Sequence, residues 1–425
     1  MAKSPRRATT PAERKLLWRA RPVMAAVLWG SYPFVKNIAK IPKLGWVSAN
    51  PRLGREILTN PRDFTIIGEG GVGHLWAQVL GAWVLDLFDG PGHHDLRSRT
   101  RELFTEAAAQ TMIEQAWGNR LKTVRERVRA GQSIDVARLA RVLVGSMIIS
   151  LLGLPRERAA DGLPTEEAAL AVFNTGEHLA KIALGSAGST HLDPAQVARA
   201  KKIVAELTVG VPQGWREAED DKLLGRCREL GVTLEETTGL ASLLMVAGTE
   251  TSASAMARIT ALLIDTGEQH RLIEAMQKPG FVPAGSPAGA AGRLINPGEA
   301  DPVENVVREG LRMTSPASVI GRGVVNNVEV GGKLLRAGER VMILTWSANA
   351  AAGKFQADRP YVRENRQLWF GAGRHLCLGA ALARAEIGHL LHALWDDAAP
   401  LRVVKRTEQR RVLVPGYEQL LVARA

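Results

Sequence analysis

Apolar and polar positions along this chain alternate mainly at helical spacing. Residues 101–154, 165–185 and 195–230 carry apolar side chains three and four apart between charged ones, the pattern of amphipathic helices. A longer helix is expected from Thr233, where Thr233-Leu234-Glu235-Glu236 has the form of a capping box, to about Thr266 before Gly267. At 1.5 Å per residue its roughly 33 residues would span about 50 Å. Its middle, Leu240 to Ala261, is apolar almost all round, so it should run through the centre of the protein, with Gly248 weakening it locally. Strand patterns are short: Trp46-Val47, Val324–Val330, Arg340–Leu344 and Val412–Val414. Residues 279–302, rich in Pro, Gly and Ala, read as a loop because a helix carrying Glu309 and Arg312 follows at once. The expected fold class is mainly α with small β-sheets.

Composition narrows the function classes. The chain has 425 residues, 46% of them apolar, enough for a large core. Lys and Arg number 55 against 43 Asp and Glu, a formal net charge of +12. The basic residues are dispersed among Ala and Leu without interleaved aromatics, which argues against a nucleic-acid platform and suits an acidic partner or surface. Two cysteines, Cys227 and Cys377, exclude a disulfide framework and fit a reducing cytoplasm. No stretch reaches the roughly 20 apolar residues of a membrane span. Pro22 to Phe34 has some likeness to a signal peptide, but its glycine, its prolines and the lack of a small-residue cleavage site argue against one. Any membrane contact by residues 15–40 would be peripheral.

Cys377 carries the most chemical information. It lies in Phe370-Gly371-Ala372-Gly373-Arg374-His375-Leu376-Cys377-Leu378-Gly379-Ala380, with glycines on both sides and an amphipathic helix directly after. Backbone N–H groups and the dipole at a helix start favour a thiolate, and glycine lets those groups approach the sulfur. Such a sulfur suits one soft axial ligand to a haem iron. Cys227, in Gly225-Arg226-Cys227-Arg228, has no such context and reads as a free thiol. A second constellation is Ala247-Gly248-Thr249-Glu250-Thr251 in the middle of the long helix. There a hydroxyl can bond back to a carbonyl and loosen a turn beside glycine, and an adjacent acid that reaches solvent would complete a proton path; a small-residue packing seam is the plainer alternative. Third, Glu309 and Arg312 share a helix face, followed by Ser315-Pro316 and Arg322. Fourth, His93 and Arg97 lie one helical turn apart, with His94 as a competitor.

These motifs, in this order, resemble those of the cytochrome P450 family. The cysteine loop matches Phe-x-x-Gly-x-x-x-Cys-x-Gly at every fixed position, and the resemblance extends from about Val47 to the C-terminus. It implies a P450 fold with haem b between the long central helix and the Cys-loop helix. It divides the chain into a poorly matched basic N-terminal segment, residues 1–40, and a single domain, 41–425. Cys377 is then the metal ligand; Phe370, Gly371 and Gly379 shape its loop; His93, Arg97, Arg322 and His375 meet the haem propionates. Ala247, Gly248, Glu250 and Thr251 take the oxygen-activating positions, Thr251 as hydroxyl and Glu250 as acid. Glu309 and Arg312 are structural, joined by Arg359 in Asp358-Arg359-Pro360, although the phenylalanine usual after that Arg is Pro360 and the usual Asn-Arg-Asp-Pro stretch reads Asn349-Ala350-Ala351-Ala352. The implied activity is monooxygenation of a small or medium lipophilic substrate in the cytoplasm. Electrons would come from a separate ferredoxin and ferredoxin reductase, docking near Arg374. A peroxide-driven haem enzyme and a non-catalytic haem or ligand-binding protein on the same fold are the alternatives.

One motif competes. Gly68-Glu69-Gly70-Gly71-Val72-Gly73 after Phe64-Thr65-Ile66-Ile67, with Asp86 and Asp89 downstream, fits a dinucleotide-binding turn. Gly81 interrupts the helix such a turn needs, and no repeating strand–helix pattern follows. Within the family resemblance this stretch covers the haem, with Trp76, Val79 and Leu80 as cavity-lining candidates.

Overall fold

The computed structural model describes residues 4–68, 71–81, 89–90, 97–98, 101–183, 191–278, 301–359 and 368–425. Helices dominate, and the centre is the predicted one, Leu234–Thr266. Thr233 accepts from the Glu236 N–H while the Glu236 side chain accepts from the Thr233 N–H, so both ends of the capping box close. Gly267 ends the helix in the left-handed region, at φ 74°. The helix is continuous through Gly248, and most of its side chains from Leu240 onward are buried. Around it pack Val136–Leu152, Glu166–Ala183, Pro302–Thr314 and the Cys-loop helix Ala380–Leu394.

The other helical stretches form with breaks at chemically legible places. Residues 101–154 divide at Gly131, φ 70°, into Glu106–Arg129 and Val136–Leu152. The second piece is capped by the Asp135 carboxylate, which accepts from the Ala137 and Arg138 N–H groups. The single helix expected over 195–230 is three: Pro194–Leu207, Val211–Glu217 and Leu223–Glu229. Pro212 can stand in the first turn of the second piece but could not continue the helix before it.

A five-stranded sheet runs in the order β1 (Ile38–Ile41), β2 (Gly45–Ser48), β8 (Arg340–Ile343), β5 (Ile320–Val324) and β3 (Phe64–Thr65), only β2 and β8 being parallel. β4 (Ile134–Asp135), β10 (Tyr417–Arg424) and β9 (Leu401–Glu408) form a second sheet; β6 (Val328–Val330) and β7 (Lys333–Leu335) form a hairpin. The expected strand over Val324–Val330 is therefore interrupted between β5 and β6. Val412–Val414 is not a strand; it is irregular chain before β10. β3 pairs antiparallel with β5, so the glycine-rich stretch after it does not follow the parallel strand that a dinucleotide turn requires. Residues 69–70 and Asp86 of that motif, and most of the loop 279–302, lie outside the described residues.

The N-terminal segment is integral to this core. Helices Pro11–Ala20 and Pro22–Gly30 bury Leu16, Leu17, Ala25 and Leu28. Glu13 reaches the central helix and pairs with Arg258, which is 0% exposed; Arg258 Nε donates to Glu13 Oε1 at 3.0 Å and its Nη2 donates to the same oxygen. No helix among the described residues is long and apolar enough to cross a membrane. Removing Glu13 strands a buried guanidinium, so Glu13→Gln should lower unfolding stability by about 3–5 kcal/mol. The double variant Glu13→Leu, Arg258→Met should recover most of that loss. Denaturant titration reads both, and an unchanged single variant would show the pair does not fasten the segment.

Candidate active site

A cavity of about 730 Å³ lies between the central helix, the cysteine loop and the N-terminal helices. That volume is typical of a small-molecule site. Ala247, Gly248, Glu250 and Thr251 line it from the central helix; Phe370, Gly371, His375, Cys377 and Gly379 line it from the loop; Arg97 and Arg322 complete the predicted set. His93 lies outside the described residues. The remaining surface is mostly apolar, including Leu240, Leu244 and Phe104. Trp76 lines it as expected, whereas Val79 packs into the core and Leu80 against it.

Backbone geometry explains the glycines of the loop. Gly371 and Gly373 sit at φ 78° and 68°, where only glycine is unstrained, and a Cβ on Gly373 would come 2.5 Å from the Leu58 carbonyl oxygen. Two short 3-10 turns, Leu368–Phe370 and Gly373–His375, precede the cysteine, whose N–H donates to the Phe370 carbonyl at 2.9 Å. The helix itself starts three residues later, with Gly379 as N-cap. Cys377 is accessible, but what it faces is the cavity. Burial pushes its thiol up, while the Gly379 N–H and the Arg97 guanidinium favour the thiolate. Arg97 also donates to the Leu376 carbonyl at 2.6 Å, tying the loop down beside the sulfur. Cys227 is fully buried and its thiol is pushed up to about 11, consistent with an inert thiol.

The cationic side chains are strongly desolvated. Arg322 is 5% exposed; among the described residues its guanidinium donates to the neighbouring Gly321 carbonyl alone, and burial lowers it to about 10 although Asp89 opposes this. His375 Nε2 lies 2.8 Å from Asp89 Oδ1. Burial alone would raise the Asp89 carboxyl, but hydrogen bonds with His375, the Thr65 hydroxyl and the Ile66 N–H hold it at about 2. Asp89 thus anchors the cysteine loop to β3, a role distant from the ribose-binding one its spacing suggested.

On the central helix, Thr251 Oγ1 donates to the Ala247 carbonyl at 2.8 Å, the expected back-bond, yet the helix does not unwind there. A Cβ built on Gly248 meets nothing within 4 Å, so the wall is open at that point. Glu250 differs from the expected solvent-reaching acid: it is 7% exposed, and among the described residues neither carboxylate oxygen has a well-formed hydrogen bond, although the Val414 N–H still favours the ionised form. Burial and the nearby Glu177 raise its carboxyl to about 8, opposed in part by Lys181. Glu177 is in turn held by Lys181 at 2.6 Å and Gln409 at 2.8 Å. Glu386, on the Cys-loop helix, also lines the cavity, and burial lifts it to about 8 against a hydrogen bond from Ser252. Sequence reasoning missed it, although an acid on the apolar face of a helix is a readable anomaly. It also missed Leu413, Val414 and Pro415, which form part of the wall.

Behind the loop, Glu309, Arg312 and Arg359 converge. Arg312 Nε and Nη2 donate to the two Glu309 oxygens at 2.7 and 2.6 Å, and Arg359 Nε donates to Glu309 Oε1 at 2.8 Å. Arg312 further bonds the Asn349 and Gly353 carbonyls, so the altered Asn349–Ala352 stretch still contributes its backbone. The donors left over within this network reach the backbone of residues 349–354, the chain that precedes the cysteine loop.

Comparison with known proteins supports the same fold. The family model described as Cytochrome P450 matches residues 301–395. The chain is 33% identical over 186 residues to a vitamin D3 dihydroxylase of Streptomyces griseolus, covering 43% of this chain and 40% of that protein. It is 30% identical over 212 residues to putative cytochrome P450 140 of Mycobacterium tuberculosis, covering 47% and 43% respectively. The chain thus spans less than half the length of either of these curated relatives. Among solved structures, CYP109E1 from Bacillus megaterium in complex with testosterone superposes with a TM-score of 0.70 at 20% identity, covering 96% of this chain and 99% of that one. A mutant of P450 EryK in complex with erythromycin B gives 0.68 at 22%, covering 95% and 97%.

With its folded-state carboxyl above the ordinary value near 4.5, Glu250 holds its proton at pH 7. Its contribution to stability is full below that ordinary value and is lost as pH rises through about 8. Relative to Glu250→Gln, the parent should therefore weaken by on the order of a few kcal/mol between those limits. Infrared difference spectra should show a protonated carboxyl band at pH 7 that the Gln variant lacks. A band missing from the parent at pH 6 would refute the assignment.

Proposed function

We propose that this chain, whose residues 301–395 match the cytochrome P450 family model, is a haem-thiolate monooxygenase that inserts one oxygen atom of O₂ into a C–H bond of a small or medium lipophilic substrate. One observation carries this reading: Cys377 and the Gly248–Thr251 stretch face the same apolar cavity. The donor set fits haem b. Cys377 offers a soft anionic ligand, Arg97 and Arg322 offer desolvated cations of the kind two propionates require, and His375 adds a ring nitrogen beside them. Haem held there would supply the redox chemistry for oxygen activation.

The protein's own groups do the rest. Arg97 and the Gly379 N–H favour the ionised sulfur at Cys377. The apolar walls exclude water and orient a lipophilic substrate. Thr251 presents a hydroxyl proton at the cavity surface and returns it to the Ala247 carbonyl when idle. Glu250, neutral at pH 7, holds a second proton one residue away, in the field of the Glu177–Lys181 ion pair. A proton store of this kind suits O₂ as oxidant, since peroxide arrives already reduced. Electrons would come from a ferredoxin and its reductase; the +12 net charge suits an acidic donor.

Thr251→Ala should leave haem binding intact while oxygen consumption loses its coupling to product. Product formed per electron pair should fall about tenfold or more, with the balance released as hydrogen peroxide. A variant that hydroxylates as efficiently as the parent removes Thr251 from the mechanism.

A further inference from the structure

The cavity holds a cation that the haem site leaves unused. Arg21 joins helices Pro11–Ala20 and Pro22–Gly30 and lines the cavity together with Leu17, Met24, Ala25 and Leu28. Five basic side chains line it among the described residues: Arg21, Arg97, Arg322, Arg340 and His375. Arg97 bonds the Leu376 carbonyl, Arg322 the Gly321 carbonyl, Arg340 the Lys43 carbonyl and His375 the Asp89 carboxylate. Among the described residues the Arg21 guanidinium has no such partner. Burial lowers its proton affinity and no nearby carboxylate offsets that, whereas Arg97 is within the field of Cys377 and Arg322 within that of Asp89. Arg21 is therefore electrostatically separate from the cysteine loop.

Its support is rigid. The Arg21 N–H donates to the Leu17 carbonyl at 3.1 Å and its carbonyl accepts from the Ala25 N–H at 2.9 Å. The Glu13–Arg258 pair fastens the preceding helix to the central one, and Ser347 Oγ bonds the Leu28 carbonyl at the far end of the next. An unpaired guanidinium fixed on an apolar wall is costly unless a ligand supplies the counter-charge.

Building on the monooxygenase reading, we propose that Arg21 recognises the anionic end of the substrate, and that the substrate class is an amphiphile with an apolar body and one carboxylate. A carboxylate matches the planar fork of a single guanidinium and neutralises it one for one. A phosphate monoester would bring close to two charges against one cation, leaving the excess on an apolar wall. The contact would hold the polar end at the N-terminal wall and leave the apolar body to the rest of the cavity.

Calorimetric titration of the full-length haem-loaded protein with decanoate, decan-1-ol and decyl phosphate tests this. The parent should bind decanoate about tenfold or more tightly than the alcohol, and more tightly than the phosphate. Arg21→Gln should bring acid and alcohol to similar affinities without weakening the alcohol, and Arg21→Lys should keep part of the preference. Equal binding of acid and alcohol by the parent, a preference that survives Arg21→Gln, tighter binding of the phosphate, or no binding of any probe would each overturn the proposal. Haem content, read from the Soret absorbance of the same samples, separates the two readings. Protein that takes up no haem yet prefers decanoate through Arg21 would sink the monooxygenase reading and leave this one standing.

Discussion

A cavity of about 730 Å³ inside a close-packed protein is the constraint that orders this structure. Interiors pack as densely as organic crystals, and apolar walls around a void tend to close. Here they are held by elements that cannot easily yield. The central helix is buried along most of its length and capped at both ends. The Cys-loop helix is set by a loop whose glycines adopt conformations that other residues reach only with strain. The N-terminal helices are fastened by an ion pair with no access to water. Each wall is a separately anchored piece, which lets the lining vary without loss of the frame.

The electrostatics within that frame are sorted by position. Cations with desolvated heads gather near the cysteine loop, where Asp89 and Cys377 share their field. Two carboxyls, Glu250 and Glu386, are forced by burial to keep their protons to about pH 8. They are proton stores beside an apolar chamber, one on the central helix and one on the Cys-loop helix. The Glu309–Arg312–Arg359 network directs donors at the backbone around Asn349 and Gly353, in the chain that precedes the cysteine loop.

Much of this was legible in the sequence where the determinant is local. The capping box at Thr233 and the glycine at 267 bound the central helix because caps are short-range chemistry. Glu309 and Arg312 pair because three residues on a helix make them neighbours. The glycines around Cys377 announced a loop that only glycine can follow. What escaped depends on long-range packing. Nothing near Glu13 in the chain points to Arg258, 245 positions away. The partnership of Asp89 with His375 is equally distant, and local spacing suggested another role. Val412–Val414 has strand-like residues but no neighbouring strand to pair with, so it became cavity wall. Arg21 looked like one more charge in a basic segment until the helices on either side turned it inward.

The sulfur of Cys377 bound to haem iron is the claim on which the functional account stands. Its most direct test is the absorbance spectrum of the reduced, carbon monoxide-treated holoprotein beside that of Cys377→Ala. The account predicts the strongly red-shifted Soret band of a thiolate-ligated haem in the parent and its disappearance in the variant. A parent without that band, or a variant that retains it, would contradict the account.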